Sequence, residues 1–481
     1  MRKTLSALVL MAVVFCSVPV RGADDSLQDQ AAQVLRKATS FFHKRVSSHG
    51  GYLYRYSEDL TKGEGEGRGD MKTVWIEPPG TPAVGLVLLD AYDATGEPTY
   101  LDAAHDTGMC LVRGQLRSGG WDNLIEFTPK RRERYAYRVD PPRKNARNTT
   151  TLDDNKTQSA IRLLMRLDKT LAYQDKQIHE AAEYALTAVL NAQYPNGAWP
   201  QRFDAPPDSA EYPIKKARYP ESWSRTYPKR DYKGYYTFND NTIADVVDVM
   251  FIAYWTYGDE RFLSSAKKAG DFMLAAQMPD PQPAWSQQYN LDMEPAWARK
   301  FEPASITGGE SQGVMSALLR LYRDTGDKQY LEPIPRALRY LQGSKLSAGR
   351  LARFYELKTN KPLYFTRGDY ELTYDDSDMP THYAFKVGNR LDRIEREYER
   401  LRMLSPDKLG KPPVASEPRT SESLENQVRE VVAALDSQGR WVELGRMRNY
   451  GADDGTRRVI ESRTFIRNVG ILSQYLAATR N

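Results

Sequence analysis

Tyr92-Asp93-Ala94-Thr95-Gly96-Glu97-Pro98-Thr99-Tyr100-Leu101 is a phrase that this chain uses three times. It returns as Tyr254-Trp255-Thr256-Tyr257-Gly258-Asp259-Glu260-Arg261-Phe262-Leu263, and again as Tyr322-Arg323-Asp324-Thr325-Gly326-Asp327-Lys328-Gln329-Tyr330-Leu331. Each copy follows one apolar-periodic segment and leads into another. The glycine suits the left-handed residue that ends a helix. The acidic residue after it suits the next N-terminus, whose unpaired N–H groups carry partial positive charge. The spacing predicts helical hairpins, repeated.

A second phrase closes them. Gly50-Gly51-Tyr52, Gly119-Gly120-Trp121 and Gly197-Ala198-Trp199 each follow a helical stretch, and Gly439-Arg440-Trp441 echoes them late in the chain. The first three lie roughly 70–80 residues apart, a period of two helices plus long loops. Hairpins stacked at that interval form either an open solenoid or a closed α/α toroid. The inserts Thr128–Thr151, Arg202–Tyr235 and Pro279–Ile306 are long and rich in Pro, Tyr, Arg or Trp, and such loops build a cleft at one rim. They favour the toroid: an all-α toroid or incomplete barrel of helical hairpins, with cleft-forming loops. Arg353–Tyr374 alternates aromatic and polar residues around Asn360-Lys361-Pro362 and predicts a small β-hairpin. Final helices are expected over Leu424–Leu435 and Thr464–Ala478. Trp121, Trp199 and Trp285 are either sugar platforms or packed hairpin ends.

The first residues read as an export signal, with Arg2 and Lys3 before an apolar run from Leu5 to Phe15 and small residues ahead of a cut at Ala23. The expected organisation is a signal over 1–22 and a single domain over 23–481, with no membrane span after cleavage. Cys110 is the only cysteine that remains, which excludes an intrachain disulfide and a thiolate metal cluster. The formal net charge of +5 suits a polyanionic partner, and for an exported monomer an acidic polysaccharide fits better than nucleic acid. The arginines of Arg131–Arg147 are either part of that surface or a solvated, ion-paired loop. No HExxH, phosphate-binding loop, nucleophile elbow or dinucleotide fingerprint occurs. The five histidines, His43, His49, His105, His179 and His382, make no recognisable pair with a nucleophile, so a histidine-based hydrolase is poorly supported.

The inserts carry an ordered series of motifs. These are Thr151-Leu152-Asp153-Asp154-Asn155-Lys156-Thr157, Gln193-Tyr194-Pro195-Asn196-Gly197-Ala198-Trp199-Pro200-Gln201, Tyr236-Thr237-Phe238-Asn239-Asp240-Asn241, Trp285-Ser286-Gln287-Gln288-Tyr289 and Pro295-Ala296-Trp297-Ala298-Arg299-Lys300-Phe301-Glu302-Pro303. Together they resemble the pectate lyases of polysaccharide lyase family 10, from about Asp153 to Arg367. The resemblance implies calcium-assisted β-elimination on polygalacturonate in a cleft at one face of the toroid. It implies Arg299 as the base and Asp154 and Asp240 as calcium ligands. It also implies Asp153, Lys300, Arg353 and Arg367 as substrate contacts. Asp154 stands where the family has an asparagine, which leaves a hard-oxygen ligand but alters the donor set. An arginine base needs desolvation and neighbouring positive charge to lose its proton.

Each of these residues has a plainer reading. Asp153, Asp154 and Asp240 can cap the helices that follow them, and Arg299 can pair with Glu302 or Glu310. Two other functions remain open in the sequence: an α/α-toroid glycoside hydrolase, with Asp153 and Asp240 as its acid–base pair, and a non-catalytic carbohydrate-binding protein.

Overall fold

The structure is a computed structural model, and it describes residues 26–208, 212–412, 417–451 and 454–480. The expected signal at 1–22 lies outside the described residues.

The repeated phrase is the joint of a hairpin each time. Helix α1 spans Leu27–Phe41, α2 Thr81–Thr95, α3 Pro98–Gly114, and α4 is a single turn at Pro129–Arg132. Then come α5 (Lys156–Thr170), α6 (Lys176–Asn191), α7 (Thr242–Tyr257), α8 (Glu260–Ala275), α9 (Gly308–Thr325) and α10 (Ile334–Gly343). Helices α11 (Leu391–Arg402), α12 (Glu422–Ala433) and α13 (Ser462–Thr479) complete the order. Gly96, Gly258 and Gly326 end α2, α7 and α9 in the left-handed region, each donating its N–H to the tyrosine carbonyl four residues back at 2.7, 2.8 and 2.7 Å. The acidic residue that follows is an N-cap: Asp259 accepts from the Arg261 N–H, and Asp327 from the Gln329 N–H.

The hairpins stack side by side as a helical toroid. Its inner helices pack in the order α13, α2, α5, α7, α9 and α11, and the returning helices lie outside them, with α1 and α12 against α13. The glycine-aromatic phrase seats each outer helix on the next. Gly119 at the end of α3 lies against Ala188 of α6, and Gly197 at the end of α6 lies against the backbone at Lys268 of α8. Both have positive φ, and at both a Cβ would collide, so glycine is required twice over.

The tryptophans are packed hairpin ends. Trp121, Trp199 and Trp285 are fully buried. Their indole N–H groups donate to the carbonyls of Leu111, Val189 and Met273, in the last turns of α3, α6 and α8, at 2.9, 2.9 and 2.8 Å. Trp441 repeats the bond to Val431 of α12 at 3.0 Å. Each ring thus buries its apolar area and satisfies its one donor, which leaves no face for a sugar.

The expected hairpin forms within a larger sheet. Strand Phe354–Tyr355 pairs with Pro362–Phe365, which pairs with Leu372–Thr373, and Ile306–Thr307 adds a fourth strand. A five-stranded sheet that the sequence did not announce joins the two ends of the chain, with Arg55–Ser57 between Gly63–Glu64 and Arg458–Glu461. The arginine-rich loop is ion-paired. Arg131 holds Asp70 and Glu126, Arg132 holds Asp140, Arg143 holds Glu133, Arg147 holds Asp122, and Arg138 holds Glu180.

Candidate active site

The inner helices run parallel, so their N-termini gather at one rim, where their dipoles sum to a positive potential. Two of them start from the same unusual turn. Leu152 (φ −97, ψ 1), Asp154 (49, 35) and Asn155 (58, 25) lead into α5. Phe238 (−99, 0), Asp240 (47, 36) and Asn241 (58, 21) lead into α7. Two successive left-handed residues are costly for anything but glycine, and Asn and Asp are the side chains that bear it best. The strain turns Asp154 and Asp240 out of the capping position: neither helix has a side-chain cap hydrogen bond. The capping reading of these aspartates is therefore replaced by one in which they face each other.

Oxygens of Asp153, Asp154 and Asp240 lie within 4.8 Å of one another. Asp153 accepts from Gln201 Nε2 at 2.8 Å, and Asp240 accepts from Asn239 Nδ2 at 2.7 Å. Burial, then the charges of Asp154, Asp153 and Glu310, push the Asp240 carboxyl up to about 7. Burial and Asp154 also raise Asp153. The Asn239 Oδ1 is buried with no hydrogen-bond partner. Crowded carboxylates, an orphaned amide oxygen and strong mutual repulsion make a donor set that fits a hard cation such as calcium.

Lys156, which the sequence reading passed over, is buried beneath this group. Its ammonium lies 3.0 Å from Asp154 Oδ2 and 2.8 Å from Glu77 Oε2, and these carboxylates outweigh burial to raise its pKa. Asp154 thus has one oxygen tied to an internal cation and the other available to the group.

The facing wall holds the arginines. Arg353, mostly buried, donates to Glu310 at 3.2 Å and to the Tyr383 hydroxyl at 2.9 Å. Tyr383 in turn donates to Glu302 at 2.8 Å. Arg299 Nε and Nη2 bind the Glu302 carboxylate at 2.8 and 2.6 Å, leaving Nη1 outside the pair. Both arginines feel the Asp240 charge. Lys300 is exposed with its ammonium 3.7 Å from the centre of the Tyr370 ring. Arg367 stands apart. It is exposed beyond strand Pro362–Phe365 and pairs with Asp378 at 3.5 Å.

The surroundings of Arg299 differ from those expected of an arginine base. Burial alone would lower its pKa, but the hydrogen bonds and charge of Glu302 hold it well above the ordinary value. Burial likewise favours a neutral Glu302, yet Arg299 and Tyr383 keep its carboxyl below the usual range. In the cation-free protein, Arg299 is held charged. Glu302 is one of the two partners that the plainer reading gave Arg299, at i, i+3 within the same motif, and the structure forms that pair. Tyr383 carries no motif signal of its own.

Residues 115–326 match the family model for pectic acid lyase. Among solved structures, a family 10 polysaccharide lyase from Cellvibrio cellulosa is 20% identical, with a TM-score of 0.46 over 67% of this chain and 97% of that one. A mutant of that lyase in complex with trigalaturonic acid gives the same figures. An α-mannanase of glycoside hydrolase family 76 from Bacteroides thetaiotaomicron is 11% identical, with a TM-score of 0.41 over 95% of this chain and 96% of that one. No curated protein sequence matches.

Proposed function

We propose that this chain, a polysaccharide lyase by its pectic acid lyase domain at residues 115–326, cleaves α-1,4-polygalacturonate by β-elimination after export from the cell. The observation that carries this reading is the meeting, inside that domain, of Asp153, Asp154 and Asp240 with Arg299, which faces them beside Arg353. Elimination removes the C5 proton, forms the C4–C5 double bond and expels the sugar on O4. The C5–H is a weak acid because a carboxylate stands beside it, so that charge must be neutralised in the transition state. Calcium held by Asp154 and Asp240 would supply a Lewis-acid contact to the C6 carboxylate. Asp153, held by Gln201, orients the sugar from the same side. Arg353 is preorganised by Glu310 and Tyr383 to clamp a uronate carboxylate. Arg299 offers Nη1 toward C5, and Lys300 and Arg367 contact uronates nearer the surface.

A glycoside hydrolase reading gains less support. Inverting enzymes hold their two carboxyl groups roughly 6.5–9.5 Å apart to admit water, and the Asp153 and Asp240 oxygens lie within 4.8 Å. The deciding assay follows ultraviolet absorbance of the unsaturated product on polygalacturonate, with calcium and then with chelator. A rise that chelator abolishes, with helical circular dichroism intact, is the expected result. Reducing ends without absorbance would replace elimination by hydrolysis, and a silent assay would favour a binding protein.

Arg353→Ala removes a bidentate clamp worth on the order of 1.5–3 kcal/mol. It should raise KM and lower kcat/KM by about ten- to a hundredfold in steady-state kinetics. Unchanged kinetics would place this wall outside the substrate path.

A further inference from the structure

Among the described residues, successive inner helices meet across opposite charges. Arg166 of α5 pairs with Asp90 and Asp93 of α2 at 2.6 and 2.8 Å. Arg162 of α5 pairs with Asp248 of α7 at 2.8 Å, and Arg320 of α9 reaches the same Asp248 from the far side. The alternation ends at the next contact. Helix α11 packs on α9, and between them runs a groove of about 580 Å³. Its lining includes Arg390, Arg393, Arg396 and Arg400 of the α11 side, opposite Arg320 and Arg323.

Six guanidinium groups share this groove with one carboxylate, Glu397, which is taken bidentately by Arg400 at 2.7 and 2.6 Å. The buried Asp324 holds Arg323 and Arg320 at 2.6 and 3.1 Å. No carboxylate among the described residues lies within ion-pair distance of Arg390, Arg393 or Arg396. Arg390 and Arg393 also sit at the N-terminal turn of α11, where the helix dipole opposes a cation. Like charges gathered in one groove destabilise the fold. The arginines of Arg131–Arg147 show the contrast, since there the same loop and its neighbours supply the carboxylates. Along α11, Arg393, Arg396 and Arg400 are spaced i, i+3, i+7, so their side chains form a row roughly 10 Å long on one face. A row of that length suits an extended chain with a charge on each unit better than a small ion.

We propose that the groove between α9 and α11 is a second binding site, for an acidic oligosaccharide, whose uronate carboxylates supply the partners that Arg390, Arg393 and Arg396 lack. None of Asp153, Asp154 and Asp240 lines the groove, so it holds the polymer without reacting on it. The choice of a uronate sugar rests on the lyase reading above.

The test uses the whole protein in chelator, where no turnover occurs, with hexagalacturonate as the probe. Thermal unfolding is followed for the wild type and for an Arg393→Gln, Arg396→Gln double variant. The variant should unfold at a higher temperature than the wild type without ligand, because repulsion is relieved. It should also lose much of the upward shift given by the hexamer, with the groove's share of binding weakened about tenfold or more. Inorganic phosphate at the same concentration should shift the wild type less than the hexamer does. Equal hexamer shifts in both proteins would overturn the site, and an equal shift from phosphate would overturn the sugar. Should the variant fail to fold, the single Arg396→Gln change, on an exposed residue, carries the same comparison. Loss of the groove's shift in a protein that yields no unsaturated product would sink the lyase reading and leave the site standing. Normal turnover with no such loss would do the reverse.

Discussion

Arg299→Ala should lower kcat on polygalacturonate by about 10²–10⁴-fold, and leave oligogalacturonate binding in chelator nearly unchanged. A base acts only as the proton leaves, so its removal is felt in the transition state and not in the ground-state complex. No histidine is placed to replace it: of the five in the chain, His382 lies nearest, with its ring packed against Phe301 and Tyr370. The pH profile separates a base from a clamp. Glu302 holds Arg299 protonated, so with calcium kept saturating at every pH the neutral fraction, and with it the rate, should climb as pH rises, with no histidine-like limb near neutrality. Glu302→Gln removes the charge that favours the protonated form. The pKa of Arg299 then falls, its neutral fraction at a given alkaline pH grows, and the rising limb should move toward lower pH. A clamp predicts otherwise, since a guanidinium that works as a cation gains nothing from losing its proton. More than about a tenth of wild-type kcat in Arg299→Ala, well above the general-base range, removes the residue from the chemistry. A Glu302→Gln limb that stays in place leaves Arg299 as a carboxylate clamp.

Much of the fold was legible because its signals are local. The helix-ending glycines Gly96, Gly258 and Gly326 act through their own backbone, so a repeated phrase in the sequence becomes a repeated turn in space. Other elements were hidden because they depend on partners far away. Arg55–Ser57 is a strand only because Arg458–Glu461 pairs with it, and at three residues it shows no period of its own. The five-stranded sheet was missed for that reason. Helix α11 was missed too, because its charged surface masks Leu391, Ile394 and Leu401, the three residues it buries.

The same division runs through the site. Asp153, Asp154 and Asp240 were visible in short motifs, and the structure brings them together through two identical left-handed turns. Lys156 was quoted within a motif without a role, since nothing in its neighbours announces that Glu77, 79 residues earlier, will meet its ammonium. The link from Arg299 through Glu302 and Tyr383 to Arg353 spans 84 residues of sequence, and only the loops at the rim bring it together. That link also decides the protonation state of Arg299, which motif reading had left to calcium and to neighbouring cations.

Asp240→Asn should abolish calcium-dependent activity and at the same time stabilise the calcium-free protein at alkaline pH. The two effects have one source. Burial and the charges of Asp154, Asp153 and Glu310 raise the Asp240 carboxyl from 3.8 to about 7, so its ionised form is disfavoured by on the order of 4 kcal/mol. For an acid whose folded pKa is raised, the associated stability is complete below the unfolded value near 3.8 and is lost as pH rises through about 7. The wild type in chelator should therefore lose stability between about pH 4 and 8, and Asp240→Asn should lose less over that window. Added calcium reverses the order. Its binding free energy stabilises the wild type in proportion to RT ln(1 + [Ca²⁺]/Kd), whereas the variant has given up an anionic ligand and gains little. Protons compete for the same oxygen, so calcium affinity in the wild type should weaken as pH falls below about 7. Calorimetric titration with calcium at pH 6 and 8, beside melting curves in chelator, reads all three effects. Equal calcium affinity in Asp240→Asn and wild type would take Asp240 out of the cation site. A variant less stable than wild type in chelator at pH 8 would mean that the three carboxylates do not strain the fold, and the electrostatic case for a cation between them would fall with it.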